Sequence, residues 1–263
     1  MTIAVFSNLS RSMQVTILGS GTNLHPTRAA AGYLIQTDAP ILLDFGPRTL
    51  SNLLKTGVDR HTIKHLLFTH YHTDHFSDFL TFFFDAVCHS MFADVRPDLT
   101  IYGPPGTKRL FGMMFRTFPN WSDPPFQVIL KEVKDRPFAI GNTQVTPLPM
   151  THSDQQVCLG YRVEYQGRSA AFSGDAMASP NLVKLCQDVD LAILDCSFSS
   201  HAPGGSHMHA EDCGKVAKKA KLKKLVLSHF YETADRSNVV AQARRHFSGP
   251  VIKGKDLLTL KTG

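Results

Sequence analysis

The 263-residue chain reads as an α/β protein, an αββα sandwich of two mixed β-sheets packed face to face with helices on the outer faces. Three observations predict this. Strand patterns alternate with short helical ones. One order of elements (hairpin, aspartate, helix, strand, histidine) occurs in residues 32–70 and again in 160–229, an internal duplication. Side chains able to do chemistry gather where strands run out, so they would meet at the carboxyl ends of the strands, between the two halves.

In chain order, residues 1–12 have no charged start followed by an apolar run. They form a short lead-in rather than a secretory signal, and 13–263 form one domain. Residues 13–18 alternate as a strand and break at Gly19-Ser20-Gly21. No Lys-Ser/Thr follows, so this is a plain loop and not a phosphate cradle. His25 is placed in that loop, near the mouth of the site. Residues 32–37 and 41–46 make a hairpin around Asp38-Ala39-Pro40. Pro47 opens a helix carrying Leu50, Leu53 and Leu54, and Gly57 stops it. A strand over 66–68 precedes a helix over 76–91 that is rich in phenylalanine. Residues 110–126 hold Phe111, Met113, Met114, Phe115, Phe118 and the only tryptophan, Trp121. Ordinary core is the first reading of this apolar wealth, and a substrate-pocket wall or a homodimer face is the second. The second half repeats the plan with a hairpin over 160–165 and 169–175. A helix follows from Ser179-Pro180, then a strand over 191–194. The helix over 211–222 aligns Cys213, Val216, Ala217 and Ala220 in one stripe, and the strand 225–228 ends at His229.

Composition narrows the class. Hydrophobic content of 43% with 19% charged residues fits a globular protein with a sizeable core. The net charge of +6 suits an anionic substrate but is too small to argue for nucleic acid by itself. Five scattered cysteines without a C-x-x-C pair read as reduced thiols. No segment has the length of a membrane span, so a cytoplasmic location without membrane contact is expected.

The strand at 66–68 runs into Thr69-His70-Tyr71-His72-Thr73-Asp74-His75. In an extended segment His70 and His72 share a face and can address one ion. A turn at Thr73 lets Asp74 and His75 address a second. A lone histidine is usually a satisfied structural residue. Four ligand-type residues among the six from His70 to His75 make a metal site.

The spacing His-x-His-x-Asp-His after a strand resembles the signature of the metallo-β-lactamase-fold hydrolases. The resemblance extends from residue 13 to about 260, because His152, Asp175 and His229 each stand at a strand end in the expected order. It implies the metallo-β-lactamase fold and a ligand set. His70, His72 and His152 would hold one ion, Asp74, His75 and His229 the other, and Asp175 would bridge them. Asp74 would also be catalytic. Imidazole and carboxylate without thiolate suit two Zn²⁺, with Mn²⁺ or Fe²⁺ as alternatives. A water bridging two ions about 3.5–4 Å apart would fall from a pKa of about 15.7 towards ~7 and attack as hydroxide. Cys196 is expected to be buried and inert. Asp44 is expected to support a ligand histidine or to cap the first helix.

Residues 205–212, Gly-Ser-His-Met-His-Ala-Glu-Asp, resemble the ribonuclease Z and related phosphodiesterase branch. In that branch a histidine twenty-two positions before the last ligand faces the leaving group. His207 matches, and His209, otherwise a helix-start residue, is the nearby alternative. Two departures argue against maturation of tRNA. Only twenty-three positions separate His152 from Asp175, where that branch would carry its tRNA arm, and a hairpin fills them. After His229 the chain reads Phe230-Tyr231-Glu232 rather than the branch's Pro-Arg-Tyr type of ending. The lysines at 215, 218, 219, 221, 223 and 224 are in part the solvent face of a helix. The expected activity is hydrolysis of a small or cyclic, anionic phosphodiester. Ribonuclease Z-like cleavage of RNA and hydrolysis of an ester, lactone or aryl sulfate are the alternatives, and a metal-binding module without catalysis is the last.

Overall fold

A computed structural model describes residues 13–262 except 201, 203 and 204, so the lead-in expected over 1–12 lies outside the described residues. Six strands come first: β1 (Gln14–Gly19), β2 (Gly32–Gln36), β3 (Pro40–Phe45), β4 (His65–Leu67), β5 (Leu99–Gly103) and β6 (Val128–Glu132). Seven follow: β7 (Phe138–Ile140), β8 (Thr143–Met150), β9 (Cys158–Tyr165), β10 (Arg168–Phe172), β11 (Leu191–Asp195), β12 (Leu225–Ser228) and β13 (Val251–Lys253). The last strand, β14 (Thr259–Lys261), returns to pair with β1. The two seven-stranded sheets run β14-β1-β2-β3-β4-β5-β6 and β13-β12-β11-β10-β9-β8-β7.

Each sheet joins an antiparallel half to a parallel half. The hairpins β2–β3 and β9–β10 are antiparallel, while β3–β4–β5–β6 and β10–β11–β12–β13 are parallel. The duplicated order of elements read from the chain thus becomes two mixed sheets with one plan. The inner parallel strands β5, β11 and β12 are nearly continuous apolar runs because both faces are covered. Ile41 and Leu43 of β3 point between the sheets, whereas Leu42 points outward. In β11, Leu191 and Ile193 point inward and Ala192 and Leu194 outward. Helices α1 (Thr49–Lys55), α2 (Thr73–Phe76), α3 (Asp78–Phe92) and α4 (Thr107–Thr117) belong to the first half. Helices α5 (Pro180–Leu185), α6 (Ala210–Lys219), α7 (Glu232–Asp235) and α8 (Val239–Arg244) belong to the second. Pro147 and Pro149 are tolerated in β8 because β7 pairs only with Thr143 to Val145, which leaves that edge free beyond.

Three helices differ from expectation. Pro47 does not open α1, which starts two residues later behind Arg48 at φ 73°. The carbonyl of Pro47 instead accepts from the Ala30 amide. The helix expected over 76–91 is two helices. The metal motif itself turns as α2, and Ser77 separates it from α3 while its hydroxyl donates to the Thr73 carbonyl. The helix expected to reach 222 stops at Lys219, where Lys221 at φ 53° reverses the chain and the Leu222 amide donates to the Ala217 carbonyl.

The phenylalanine-rich stretch is core in large part: Phe79, Phe82, Phe83, Phe111, Met114, Trp121 and Phe126 are buried in one cluster. Phe84, Met91, Phe92, Met113 and Phe118 are exposed. All five cysteines are free thiols, and Cys196 is buried as expected. Among the described residues no helix is long and apolar enough to cross a membrane.

Candidate metal centre

The site forms where β3, β4, β10, β11 and β12 end side by side. Beyond β4 the chain leaves the sheet at Phe68, whose carbonyl accepts from the Tyr161 hydroxyl at 2.9 Å. It then presents His70 and His72, and α2 presents Asp74 and His75 one turn later. Gly46 lets this turn come close, because a Cβ there would lie 1.8 Å from the Asp74 carbonyl oxygen. Beyond β10, Gly174 at φ 56° turns the chain so that Asp175 faces in, and His229 beyond β12 adopts φ 62°. Asp44, at the end of β3, adopts φ 54°. Such conformations cost a non-glycine residue on the order of 1 kcal/mol, and here two of them fall at one site.

The seven residues expected as ligands converge as two trios on either oxygen of Asp175. On one side His70 Nε2 lies 2.9 Å from His72 Nδ1, and His152 Nε2 lies 3.3 Å from the same atom. The nitrogens of His70 and His152 are each 3.6 Å from Asp175 Oδ2. On the other side His75 Nε2 and His229 Nε2 face each other at 3.3 Å and lie 3.0 and 3.2 Å from Asp175 Oδ1. Asp74 Oδ2 is 3.4 Å from His229 Nε2. Asp175 Oδ1 is buried yet makes no directed hydrogen bond among the described residues. Ligands about 2.0–2.1 Å from one tetrahedral ion sit roughly 3.3 Å from each other. The nitrogen spacings are close to that, so the donor set fits divalent cations.

Four of the five imidazoles, those of His70, His75, His152 and His229, are oriented through the other ring nitrogen. His75 Nδ1 donates to Asp44 Oδ2 at 2.8 Å, and Asp44 also accepts from the Thr69 amide and hydroxyl, each at 2.8 Å. Asp44 is therefore a support for the histidine and not a cap of α1. His152 Nδ1 donates to the Ser206 carbonyl at 2.9 Å, and His70 Nδ1 meets the Thr69 hydroxyl at 3.0 Å. His229 Nδ1 is 3.0 Å from Ser197 Oγ and 3.6 Å from Asp195 Oδ1.

Charge divides the histidines. Burial, together with the neighbouring imidazoles, lowers His70 and His72 below the usual value. Burial would lower His75 and His229 too, but the nearby carboxylates outweigh it. Asp175 and Asp44 raise His75, and Asp175, Asp195 and Asp74 raise His229 to about 10. Burial opposes ionisation of Asp175, yet His229 and His75 hold it well below the carboxylate range. Asp74 is likewise held low against burial, by the His229 hydrogen bond and the His75 charge. The protons so retained stand where cations would bind.

Asp195 was not foreseen. Its position beside Cys196 drew attention to the thiol, but the carboxylate is what reaches the centre. Its Oδ2 accepts from His207 Nδ1 at 2.8 Å and from the Ala176 amide at 3.1 Å, while Oδ1 accepts from the Ser197 amide and hydroxyl. A strand-end aspartate matching Asp175 in the same sheet was the available signal. His207 lies in the loop before α6 rather than on it, with its ring 4.7 Å from that of His152 and 5.4 Å from that of His229. His209 turns away, its Nδ1 3.3 Å from Asp212 Oδ2 and its Nε2 donating to the Ala202 carbonyl. His25, expected at the mouth, is buried against Asp235 at 3.2 Å, and its Nδ1 accepts from the Thr27 and Arg28 amides.

The likenesses to known proteins agree with this geometry. The family model of the beta-lactamase superfamily domain matches residues 40–230. A probable metallo-hydrolase of Bacillus subtilis, YhfI, is 26% identical over 244 residues, covering 91% of this chain and 96% of that protein. The crystal structure of the metallo-beta-lactamase fold protein YhfI superposes with a TM-score of 0.85 at 25% identity, over 95% of this chain and 99% of that one. The ribonuclease Z of Mycolicibacterium paratuberculosis is 26% identical over 275 residues, 93% of this chain and 96% of its own length. A diphosphatase of the PhnP family shares the fold, with a TM-score of 0.73 and 21% identity over 94% of this chain and 97% of that one. The chain belongs to the beta-lactamase superfamily, and within it to the metal-dependent hydrolases of the metallo-β-lactamase fold.

Proposed function

We propose that this protein is a dinuclear metal-dependent hydrolase of a small or cyclic phosphodiester, with zinc as the native metal and Mn²⁺ or Fe²⁺ as the alternatives. The observation that carries the reading is the pair of nitrogen-rich trios sharing Asp175, one on each oxygen. His70, His72 and His152 would hold one ion, Asp74, His75 and His229 the other, and Asp175 would be shared between them. Such ions, when bound, would supply Lewis acidity and lower the pKa of water towards the neutral range.

The protein's own groups do the rest. Asp74, beside His229 at this site, would orient the attacking water and take up its proton as the water oxygen bonds to phosphorus. Burial lowers the affinity of His207 for a proton, but Asp195 more than offsets it, so the net shift is upward. With Nδ1 engaged by Asp195, His207 offers Nε2–H to the leaving oxygen as the phosphorus–oxygen bond breaks. Phosphodiesterase chemistry is favoured over acyl or sulfate transfer by the likeness to ribonuclease Z. Against RNA as the substrate stands the short connection between β9 and β10, the two residues Gln166 and Gly167, both at positive φ.

A panel assay of the metal-loaded protein on bis(p-nitrophenyl) phosphate, an aryl sulfate and a lactone tests the reading. The phosphodiester is expected to be turned over fastest. Preference for either other substrate overturns it, and efficient trimming of a 3′-extended pre-tRNA would move the assignment to the ribonuclease Z activity.

A further inference from the structure

Phe198 stands three residues beyond Asp195, and Tyr231 two residues beyond His229. Their rings lie parallel, 1° between planes and 5.5 Å between centroids. Parallel rings at that separation are offset, so the two make one stepped aromatic surface. Both are nearly perpendicular to the His207 imidazole, at 79° and 78°, with centroids 6.0 and 6.2 Å from it. His207 therefore stands up from this surface.

The core does not account for the pair. Phe230, adjacent in sequence, is fully buried in the cluster beneath the second sheet, whereas Phe198 and Tyr231 are half-buried and belong to none of the three apolar clusters. Their backbones are nonetheless fixed. The Phe198 amide donates to the Met208 carbonyl, and the Ala210 amide donates to the Phe198 carbonyl, which ties Phe198 to the loop carrying His207. Tyr231 immediately precedes α7, where the Asp235 amide donates to its carbonyl.

We propose that Phe198 and Tyr231 form a stacking platform for a planar aromatic group on the leaving alcohol of the phosphodiester, and so determine specificity. The inference rests on the phosphodiesterase reading above. A flat ring lying on the platform brings its attached oxygen to the imidazole that rises beside it. Stacking on an outer face of this ring pair, with the second ring beneath or beside it, favours a planar group over a saturated one of equal size.

The experiment uses metal-loaded full chain and two diesters alike at phosphorus, methyl benzyl phosphate and methyl cyclohexylmethyl phosphate, with bis(p-nitrophenyl) phosphate as reference. The native protein is expected to favour the benzyl ester in kcat/KM by about tenfold, equivalent to ~1.4 kcal/mol. Phe198→Leu combined with Tyr231→Leu is expected to reduce that ratio to about twofold, with metal content as in the native protein. Tyr231→Phe, which keeps the ring, is expected to keep the ratio. Equal rates on the two esters, or a preference that survives the double substitution, overturn the platform while the phosphodiesterase reading stands. Failure to hydrolyse any of the three diesters overturns that reading, and the platform with it.

Discussion

The two trios around Asp175 use similar residues in unlike surroundings. His75 and His229 are buried, and carboxylates stand behind them, Asp44 directly and Asp195 together with Ser197. In the other trio His72 is exposed while the side chains of His70 and His152 are buried, and the backing is by neutral groups, the Thr69 hydroxyl and the Ser206 carbonyl. Carboxylate backing makes an imidazole a stronger ligand and fixes its ring. Burial reduces solvent access to the same nitrogens. On the dinuclear reading the first position would hold its ion more firmly and the second, which includes the exposed His72, would be the more open; His207 lies near both, its ring 4.7 Å from that of His152 and 5.4 Å from that of His229.

The largest expected effect concerns the residue the trios share. Asp175→Ala is expected to abolish hydrolysis and to cost at least one ion per chain by elemental analysis; two ions retained would mean that the trios are independent. His207→Ala is expected to lower kcat about 10²–10⁴-fold with both ions in place. An equal loss in His209→Ala, with none in His207→Ala, would move the proton donor two residues along. Asp44→Asn sharpens the contrast between the trios. It is expected to weaken one ion about 10–100-fold in a chelator competition and to leave the other nearly unchanged.

The smallest effect is read in protons. His75 and His229 are raised above the usual histidine value, so at pH 7 the metal-free protein holds protons on them. His70 and His72 are lowered and are already neutral. Filling the buried trio is then expected to release a proton from each of His75 and His229, whereas filling the open trio releases none from His70 or His72. Calorimetric titration in buffers of different ionisation enthalpy separates the two steps. Equal release in both would erase the distinction. The same sign makes occupancy of the buried trio fall as pH is lowered.

The clustering of the candidate donors His70, His72, Asp74 and His75 was legible because a strand end and one helical turn bring them together by local geometry alone. Strand-end context did the same for His152, Asp175 and His229, and periodicity marked most strands. That His207 faces Asp195 while His209 turns to Asp212 was not legible, since both precede the same helix by a few residues and differ only in which way they turn. Helix boundaries slipped where Arg48 and Lys221 take positive φ, a conformation no residue pattern announces at an arginine or lysine.

By itself the sequence determined the layered architecture, the donor types and their order along the chain, because alternation, turn residues and ligand spacing act over a few neighbouring positions. Only the tertiary structure decided which carboxylates stand behind which imidazoles. Asp44 meets His75 across 31 residues, and Asp195 lies beside His229 some 34 positions on. It also decided that Phe198 and Tyr231 face each other beside His207. These pairings depend on the ends of parallel strands arriving side by side, and packing of whole sheets sets that arrival.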